Sequence, residues 1–183
     1  VVLIILIIGL SYAWLMTTIQ GEKDVSILVD TIDLELDESA SEGIKLVNAI
    51  PTYDSDGRKT SPYKFSLNNK SRIDLYYSLS LIDDEELISN CKTTDGSACE
   101  LLDTKDIRYE LKVGSDTYTG SLSDSPSIYH GVINASKKID CELRVWLNIE
   151  AENDVMGKVL LRKLKVFATQ QVAEISLSKI MKK

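Results

Sequence analysis

Hydrophobic and polar residues alternate with a period of two along most of this chain. Ile32, Leu34 and Leu36 alternate with acidic residues, and longer rows of the same kind run over residues 73–81 and 141–149. Successive side chains of a β-strand point to opposite faces of the sheet, so each row predicts a strand with one buried and one solvated face.

Six shorter apolar rows predict further strands, and residues typical of turns, such as Gly114-Ser115-Asp116, separate them. Strands spaced by about 8 to 14 residues predict an all-β fold, namely a two-sheet antiparallel β-sandwich of jelly-roll-like arrangement. The six shorter rows are Ile44–Ala49, Tyr63–Leu67, Ile107–Val113, Thr117–Leu122, Ile128–Ile133 and Val159–Ala168.

Two segments have a helical pattern instead. Asp83–Ser89 is the first, and Val172–Lys182 is the second. The second segment is equally compatible with a final strand or with a tail that pairs elsewhere.

The first 21 residues carry no charge, and this sets them apart from the body of the chain. About 20 uncharged residues suffice to cross a membrane as an apolar helix, with Trp14 at the interface. Alternatively, Val1–Leu10 is the hydrophobic region of a signal peptide that is cleaved between Ala13 and Trp14, after the small residues Ser11 and Ala13. The cleaved signal peptide is favoured, because Ser11 and the nearby glycine weaken a helix at this point.

The chain therefore divides into two parts. Residues 1–21 are a signal peptide or a membrane or assembly segment, and residues 22–183 form a single β-sandwich domain. Either use of the first part takes the second part out of the cytoplasm, so we expect an extracellular or cell-surface location.

The charge balance is acidic, with 28 Asp and Glu residues against 21 Lys and Arg (28 − 21 = 7, net −7). Nucleic-acid binding requires clustered basic residues to contact phosphates, so no nucleic-acid partner is expected.

Residues that could carry chemistry are few. His130 is the only histidine, and a lone histidine is more often a surface or packing residue than a catalytic base or a metal ligand. The sequence has neither a pair of histidines at zinc-ligand spacing nor a Gly-x-Ser-x-Gly motif. We therefore expect no enzymatic activity, no cofactor and no metal site.

Cys91 and Cys99 flank a hydrophilic loop, and in an exported chain they are expected to form a disulfide worth about 2 to 3 kcal/mol. Two free thiols are the alternative. Cys141 lies on the apolar face of a predicted strand, so a buried free thiol is expected there, with an intermolecular disulfide as the alternative.

Two acidic segments are compatible with cation binding. Asp54-Ser55-Asp56-Gly57 is similar to the start of a calcium loop, but the basic residues that follow favour a plain turn. The run from Asp83 to Glu86 is interpreted as a solvated helix cap, with weak binding of divalent cations as the alternative.

Three segments together resemble a known family. Gly9-Leu10-Ser11-Tyr12-Ala13-Trp14 resembles the end of the signal peptide in the TasA and camelysin group of exported proteins of Gram-positive bacteria, which a signal peptidase of the SipW type cleaves. Residues 49–69, with Ala49-Ile50-Pro51-Thr52-Tyr53 at their start, look like the approach to an early core strand of that group. Leu143-Arg144-Val145-Trp146-Leu147, followed by Val155-Met156-Gly157-Lys158, is similar to its last paired strands.

The resemblance implies a jelly-roll-like sandwich whose relatives form fibres of the biofilm matrix. In such fibres an N-terminal segment of one subunit completes a sheet of the next. Here that segment would start at Trp14 and offer Trp14, Leu15, Met16 and Ile19 to a neighbouring copy. Some relatives are classed as peptidases, but no metal-ligand set can be carried over to this sequence.

The sequence thus favours an exported, non-enzymatic structural protein that associates with itself through β-strands, and it leaves two alternatives open. One is a membrane-anchored surface binding module that retains residues 1–20 in the membrane. The other is a pilin-like subunit that keeps an apolar N-terminal helix.

Overall fold

The computed structural model describes residues 16–20, 32–38, 43–122 and 127–170. Within these ranges, ten strands form two antiparallel sheets, which confirms the predicted all-β class and the number of sheets. The strands are β1 (Met16–Gln20), β2 (Leu34–Asp37), β3 (Ile44–Leu46), β4 (Tyr63–Asn69), β5 (Leu75–Asp83), β6 (Ile107–Val113), β7 (Asp116–Ser121), β8 (Ser127–Ile133), β9 (Lys138–Leu147) and β10 (Leu160–Thr169).

The two sheets each contain five strands. The first sheet has the order β1-β10-β5-β8, and β3 also pairs with β10. The second sheet has the order β2-β4-β9-β6-β7. Two short helices, α1 (Asp54–Gly57) and α2 (Glu85–Asn90), lie in the connections.

Alternation of side chains builds the core that the two sheets share. In β5, Leu75, Tyr77, Leu79 and Leu81 are all buried, while the residues between them are partly exposed. Apolar residues from strands of both sheets belong to one hydrophobic cluster. The period-two row of β5 therefore marks the buried face of that strand, as expected from strand geometry, whereas β7 has no buried residue.

A buried asparagine ties the two sheets together at one end. Asn69, the last residue of β4 in the second sheet, is fully buried. Its Nδ2 donates to the backbone carbonyls of Ile73, Ile133 and Asn134 at 2.9, 3.1 and 3.0 Å. Ile73 precedes β5, and Ile133 and Asn134 lie at the end of β8, so all three belong to the side of the first sheet. The Oδ1 of Asn69 accepts a hydrogen bond of 2.9 Å from the backbone N–H of Ser71.

Two local expectations need correction. The acidic segment Asp54–Gly57 is one turn of helix where a plain turn was expected. The predicted first helix begins two residues later than expected, at Glu85, because the Asp84 side chain caps it by accepting a 3.1 Å hydrogen bond from the backbone N–H of Leu87. The predicted segment Val172–Lys182 lies outside the described residues.

Candidate assembly edge

The N-terminal strand β1 is an edge strand of the first sheet. It pairs antiparallel with β10 over five residue pairs, from Met16 opposite Thr169 to Gln20 opposite Lys165. The sequence Met-Thr-Thr-Ile-Gln contains three consecutive β-branched residues, which favour a strand. Residues 16–20 are therefore extended and bonded to a sheet, and the membrane-helix alternative for residues 1–20 otherwise falls on residues outside the described ranges.

One side of β10 is divided between two short strands. β3 covers Leu160–Arg162, and β1 covers residues 165–169. The opposite side of β10 is paired with β5 over eight residues. Removing β1 would thus leave unpaired the backbone donors and acceptors that alternate residues of 165–169 direct toward it, on a strand whose buried residues include Val166 and Ala168.

The structure brings only part of the predicted assembly segment to this edge. Met16 and Ile19 belong to β1, and their register partners are Thr169 and Val166. Trp14 and Leu15 lie outside the described residues, as does the predicted cleavage point between Ala13 and Trp14. The sequence interpretation placed this strand on a neighbouring copy, whereas here it pairs within its own chain.

The predicted pair Cys91 and Cys99 forms a disulfide whose Cα atoms are 5.5 Å apart. The bridge closes a small exposed hairpin in which the backbone N–H of Thr93 donates to the carbonyl of Ser97 at 2.9 Å. The Thr93 hydroxyl also donates to the carboxylate of Asp95, and this hydrogen bond lowers the pKa of Asp95. The loop is therefore held by the disulfide and by its own polar contacts.

Cys141 is a buried free thiol on the inward face of β9, where the sequence pattern placed it. Burial raises the pKa of Cys141 to about 12. Because the thiolate is the reactive form, this thiol is protected from oxidation and from disulfide exchange in the folded chain.

His130 has a polar neighbour that the sequence did not single out. Its Nε2 lies 3.1 Å from the hydroxyl of Ser127, three residues earlier on β8. A serine and a histidine at this distance form a nucleophile only together with an orienting acid and an oxyanion hole. The contact alone supports no reaction, and the expectation of a non-enzymatic protein stays a prediction.

The sequence pattern also did not indicate that a tryptophan on the outer face of the second sheet is covered by another part of the chain. Trp146 is buried, and its Nε1 donates to the carboxylate of Asp54 at 3.1 Å. Gly57 lies directly against the indole, since a Cβ at this position would fall 2.3 Å from Trp146 Cδ2. Helix α1 is therefore a lid that covers Trp146. The carboxylate of Asp54 accepts the hydrogen bond from Trp146 and also forms an ion pair with Arg108.

Beside this lid, a chain of ion pairs crosses the sheet. The buried carboxylate of Glu110 lies 3.5 Å from Arg144 and 3.4 Å from Arg58. Arg144 also contacts Glu142 at 3.3 Å and donates to the backbone carbonyl of Thr60 at 3.0 Å. These pairs neutralise a buried acid and hold the segment after α1 on the sheet.

Three tyrosines form a row of ring contacts that begins at the edge strands of the two sheets. Tyr118 of β7 packs against Tyr129 of β8, with ring centres 4.8 Å apart, and Tyr129 packs against Tyr77 at 5.7 Å. A single sequence could not reveal this contact, because β7 and β8 belong to different sheets.

Across the described ranges, no cluster of three or more histidine, cysteine or acidic side chains is placed to hold a metal ion. Among the helices described, none has the length and apolar character needed to cross a bilayer.

Comparisons with known proteins returned nothing: no family model, no curated protein and no solved structure matches the chain.

Proposed function

We propose that this chain is an exported surface or matrix protein that associates with copies of itself by exchanging strand β1. The observation that carries the proposal is the position of β1, an N-terminal edge strand that touches the sheet through one neighbour, β10. A strand in this position can be supplied by the same chain or by another copy, and the backbone hydrogen bonds are the same in both cases.

The length of the connection favours exchange. Eleven residues, 21–31, separate the end of β1 from Ile32 (31 − 20 = 11). A fully extended chain covers at most about 3.3–3.6 Å per residue, so this connection can span on the order of 35 Å. That reach is comparable with the size of a small domain, so β1 of one copy can lie on β10 of the next.

Charge and covalent structure support an exported protein. A disulfide such as Cys91–Cys99 persists in oxidising compartments and is rare in the cytosol. The uncharged first 21 residues suit an export signal, and the net charge of −7 falls on the rest of the chain. Copies with this common charge repel one another, so association must come from strand pairing.

The arrangement of the two sheets within this proposal is a jelly-roll-like sandwich. It is supported by the single hydrophobic cluster that contains residues of both sheets and by Asn69, which bonds across from one sheet to the other. Face-to-face packing of this kind leaves edge strands as the natural sites of association.

A pair of proline variants tests the exchange. Thr17→Pro removes a backbone donor that faces β10, because Thr17 lies opposite Ala168, whose backbone groups point away from β5 and toward β1. The control Thr119→Pro makes the same type of substitution in β7, an exposed edge of the other sheet. Assembly is measured by light scattering and negative-stain microscopy. We expect Thr17→Pro to abolish the assemblies and Thr119→Pro to keep them, and the reverse result would move the interface to β7.

Export is tested separately by mass spectrometry of the mature N-terminus. We expect the chain to begin at Trp14. Recovery of residues 1–10 in the assembled protein would contradict the cleaved signal peptide and favour a retained anchor.

A further inference from the structure

The contact between Tyr118 and Tyr129 is the one place among the described ring contacts where aromatic side chains of the two sheets' edge strands meet. Tyr118 lies on β7, the last strand of the second sheet, and Tyr129 lies on β8, the last strand of the first. Their ring centres are 4.8 Å apart and their planes are inclined by 58°. Two phenol rings joined directly by a carbon–carbon bond have a similar separation and are also twisted relative to one another.

The two rings differ in access to solvent. Tyr118 is 38% exposed on a strand whose first four residues are all exposed, whereas Tyr129 is half-buried. A solvent-borne oxidant therefore reaches Tyr118 first. Tyr129 lies in contact with it, so an oxidised Tyr118 can take an electron from its neighbour over a short distance.

The protonation state of Tyr129 suits radical chemistry. A phenol is neutral at physiological pH at its ordinary pKa of about 10, and burial raises the pKa of Tyr129 further, to about 12, so the phenol gives up a proton together with the electron. Tyr77, on the other side of Tyr129 from Tyr118, is fully buried and contacts the Tyr129 ring at 5.7 Å.

From this geometry we infer that Tyr118 and Tyr129 are a site of oxidative cross-linking, where a haem peroxidase using hydrogen peroxide joins the two rings as dityrosine. Each phenol loses one electron and one proton to give a phenoxyl radical, and the two radicals form one bond between their ortho carbons. The hydrogen on each joined carbon then moves to the phenol oxygen. The two electrons and two protons reduce hydrogen peroxide to two molecules of water.

The bond ties the edges of the two sheets. It links residues that are eleven positions apart in the sequence (129 − 118 = 11), and it fixes β7, which is otherwise paired with β6, to β8. Because such a link restricts the unfolded chain, the cross-linked protein is expected to melt at a higher temperature than the untreated protein. This inference is independent of the exchange of β1.

The test uses the full chain treated with hydrogen peroxide and a haem peroxidase. Dityrosine fluorescence measures the reaction, and intact mass should fall by two hydrogen atoms per monomer. Cleavage before aspartate separates the two tyrosines, because Asp116 and Asp124 start the peptides that contain them. In the cross-linked protein these two peptides, residues 116–123 and 124–139, are expected to stay joined.

Variants decide which tyrosines react. Tyr118→Phe and Tyr129→Phe should each lose the joined peptide and the two-hydrogen mass change. The control Tyr53→Phe removes a more exposed tyrosine, at 64%, that takes part in none of the described ring contacts, and it should leave both signals unchanged. Tyr118 is exposed, so its variant reports on the chemistry even if the Tyr129 variant folds poorly.

The inference is overturned if the joined peptide is absent from the treated wild-type chain. It is equally overturned if Tyr118→Phe keeps the joined peptide, or if the fluorescence appears only in covalent dimers.

Discussion

Replacing Asn69 by alanine should destabilise the protein more than any other single polar change at this end of the molecule. The amide carries two N–H hydrogens and one carbonyl oxygen, so its four contacts amount to two donated and one accepted hydrogen bond. Each is worth about 1 kcal/mol in a folded protein, and the buried carbonyls left behind lose their donors. We therefore expect Asn69→Ala to lower the free energy of unfolding by about 3 kcal/mol.

The size of this loss can be measured by urea unfolding with the disulfide intact, with the buried Trp146 as the fluorescent reporter. At about 2–4 °C per kcal/mol, a chain of this size should also melt roughly 6–12 °C lower. Asn69→Asp keeps the size of the side chain and removes only its hydrogen-bond donors. A carboxylate can still accept from the backbone N–H of Ser71 but cannot donate to the three carbonyls. It should cost at least as much as alanine.

The matched control is the neighbouring residue Asn68. Its side chain makes one 3.3 Å hydrogen bond, to the carboxylate of Glu35. Asn68→Ala should cost less than about 1 kcal/mol. If Asn69→Ala also costs less than about 1 kcal/mol, Asn69 does not tie the sheets together.

Three further predictions concern the lid, the buried thiol and a buried acid. Gly57→Ala forces the indole of Trp146 to move, because the added carbon would lie 2.3 Å from it, and urea unfolding should show a loss of about 1–3 kcal/mol. Cys141 should react with iodoacetamide only in urea and not in the native protein, as followed by mass spectrometry, because burial keeps its thiol protonated and covered. The pKa of Glu38 is raised, chiefly by burial and against the hydrogen bond from Tyr63, so ionisation of Glu38 opposes folding. A carboxyl of this kind contributes stability below its unfolded pKa that is lost as pH rises through the folded pKa, so Glu38→Gln should raise the free energy of unfolding near pH 7 and leave it unchanged near about pH 3.

Each of these predictions has its own control or contrary result. Gly96→Ala adds a methyl group where nothing lies within 4 Å, so it should cost only the strain of its positive φ, about 1 kcal/mol. Equal losses at both glycines would refute steric contact as the cause. Rapid native labelling of Cys141 would show that the inward face of β9 opens. Glu85→Gln, at an exposed site, should show no gain near pH 7, and the same gain at both sites would point to net charge in place of burial.

The strands could be predicted because their signal is local. A period of two needs only the neighbouring residues, and the rows around Leu79 and Leu143 mark buried faces in the structure. The disulfide could also be predicted, because the spacing and polarity of one short loop indicate it.

The contacts between distant segments could not be predicted. Asp54 and Trp146 are 92 residues apart, and Asn69 reaches carbonyls 64 and 65 residues further along. Pairing of this kind depends on the order of strands in the sheets, which alternation does not specify. The sequence interpretation assigned Met16 and Ile19 to a segment that pairs with a neighbouring copy, and for the same reason it could not predict that they pair with β10 of their own chain.

The exchange of β1 between copies is tested most directly by a disulfide across its register. Thr18 lies opposite Phe167, so one copy carries Thr18→Cys and a second copy carries Phe167→Cys. The two are mixed, assembled and oxidised, with Thr119→Cys in place of the second variant as a control on the other sheet. Exchange predicts a covalent pair that contains one chain of each kind, joined at residues 18 and 167 and absent from the control. Assemblies that form without this linkage would contradict the account.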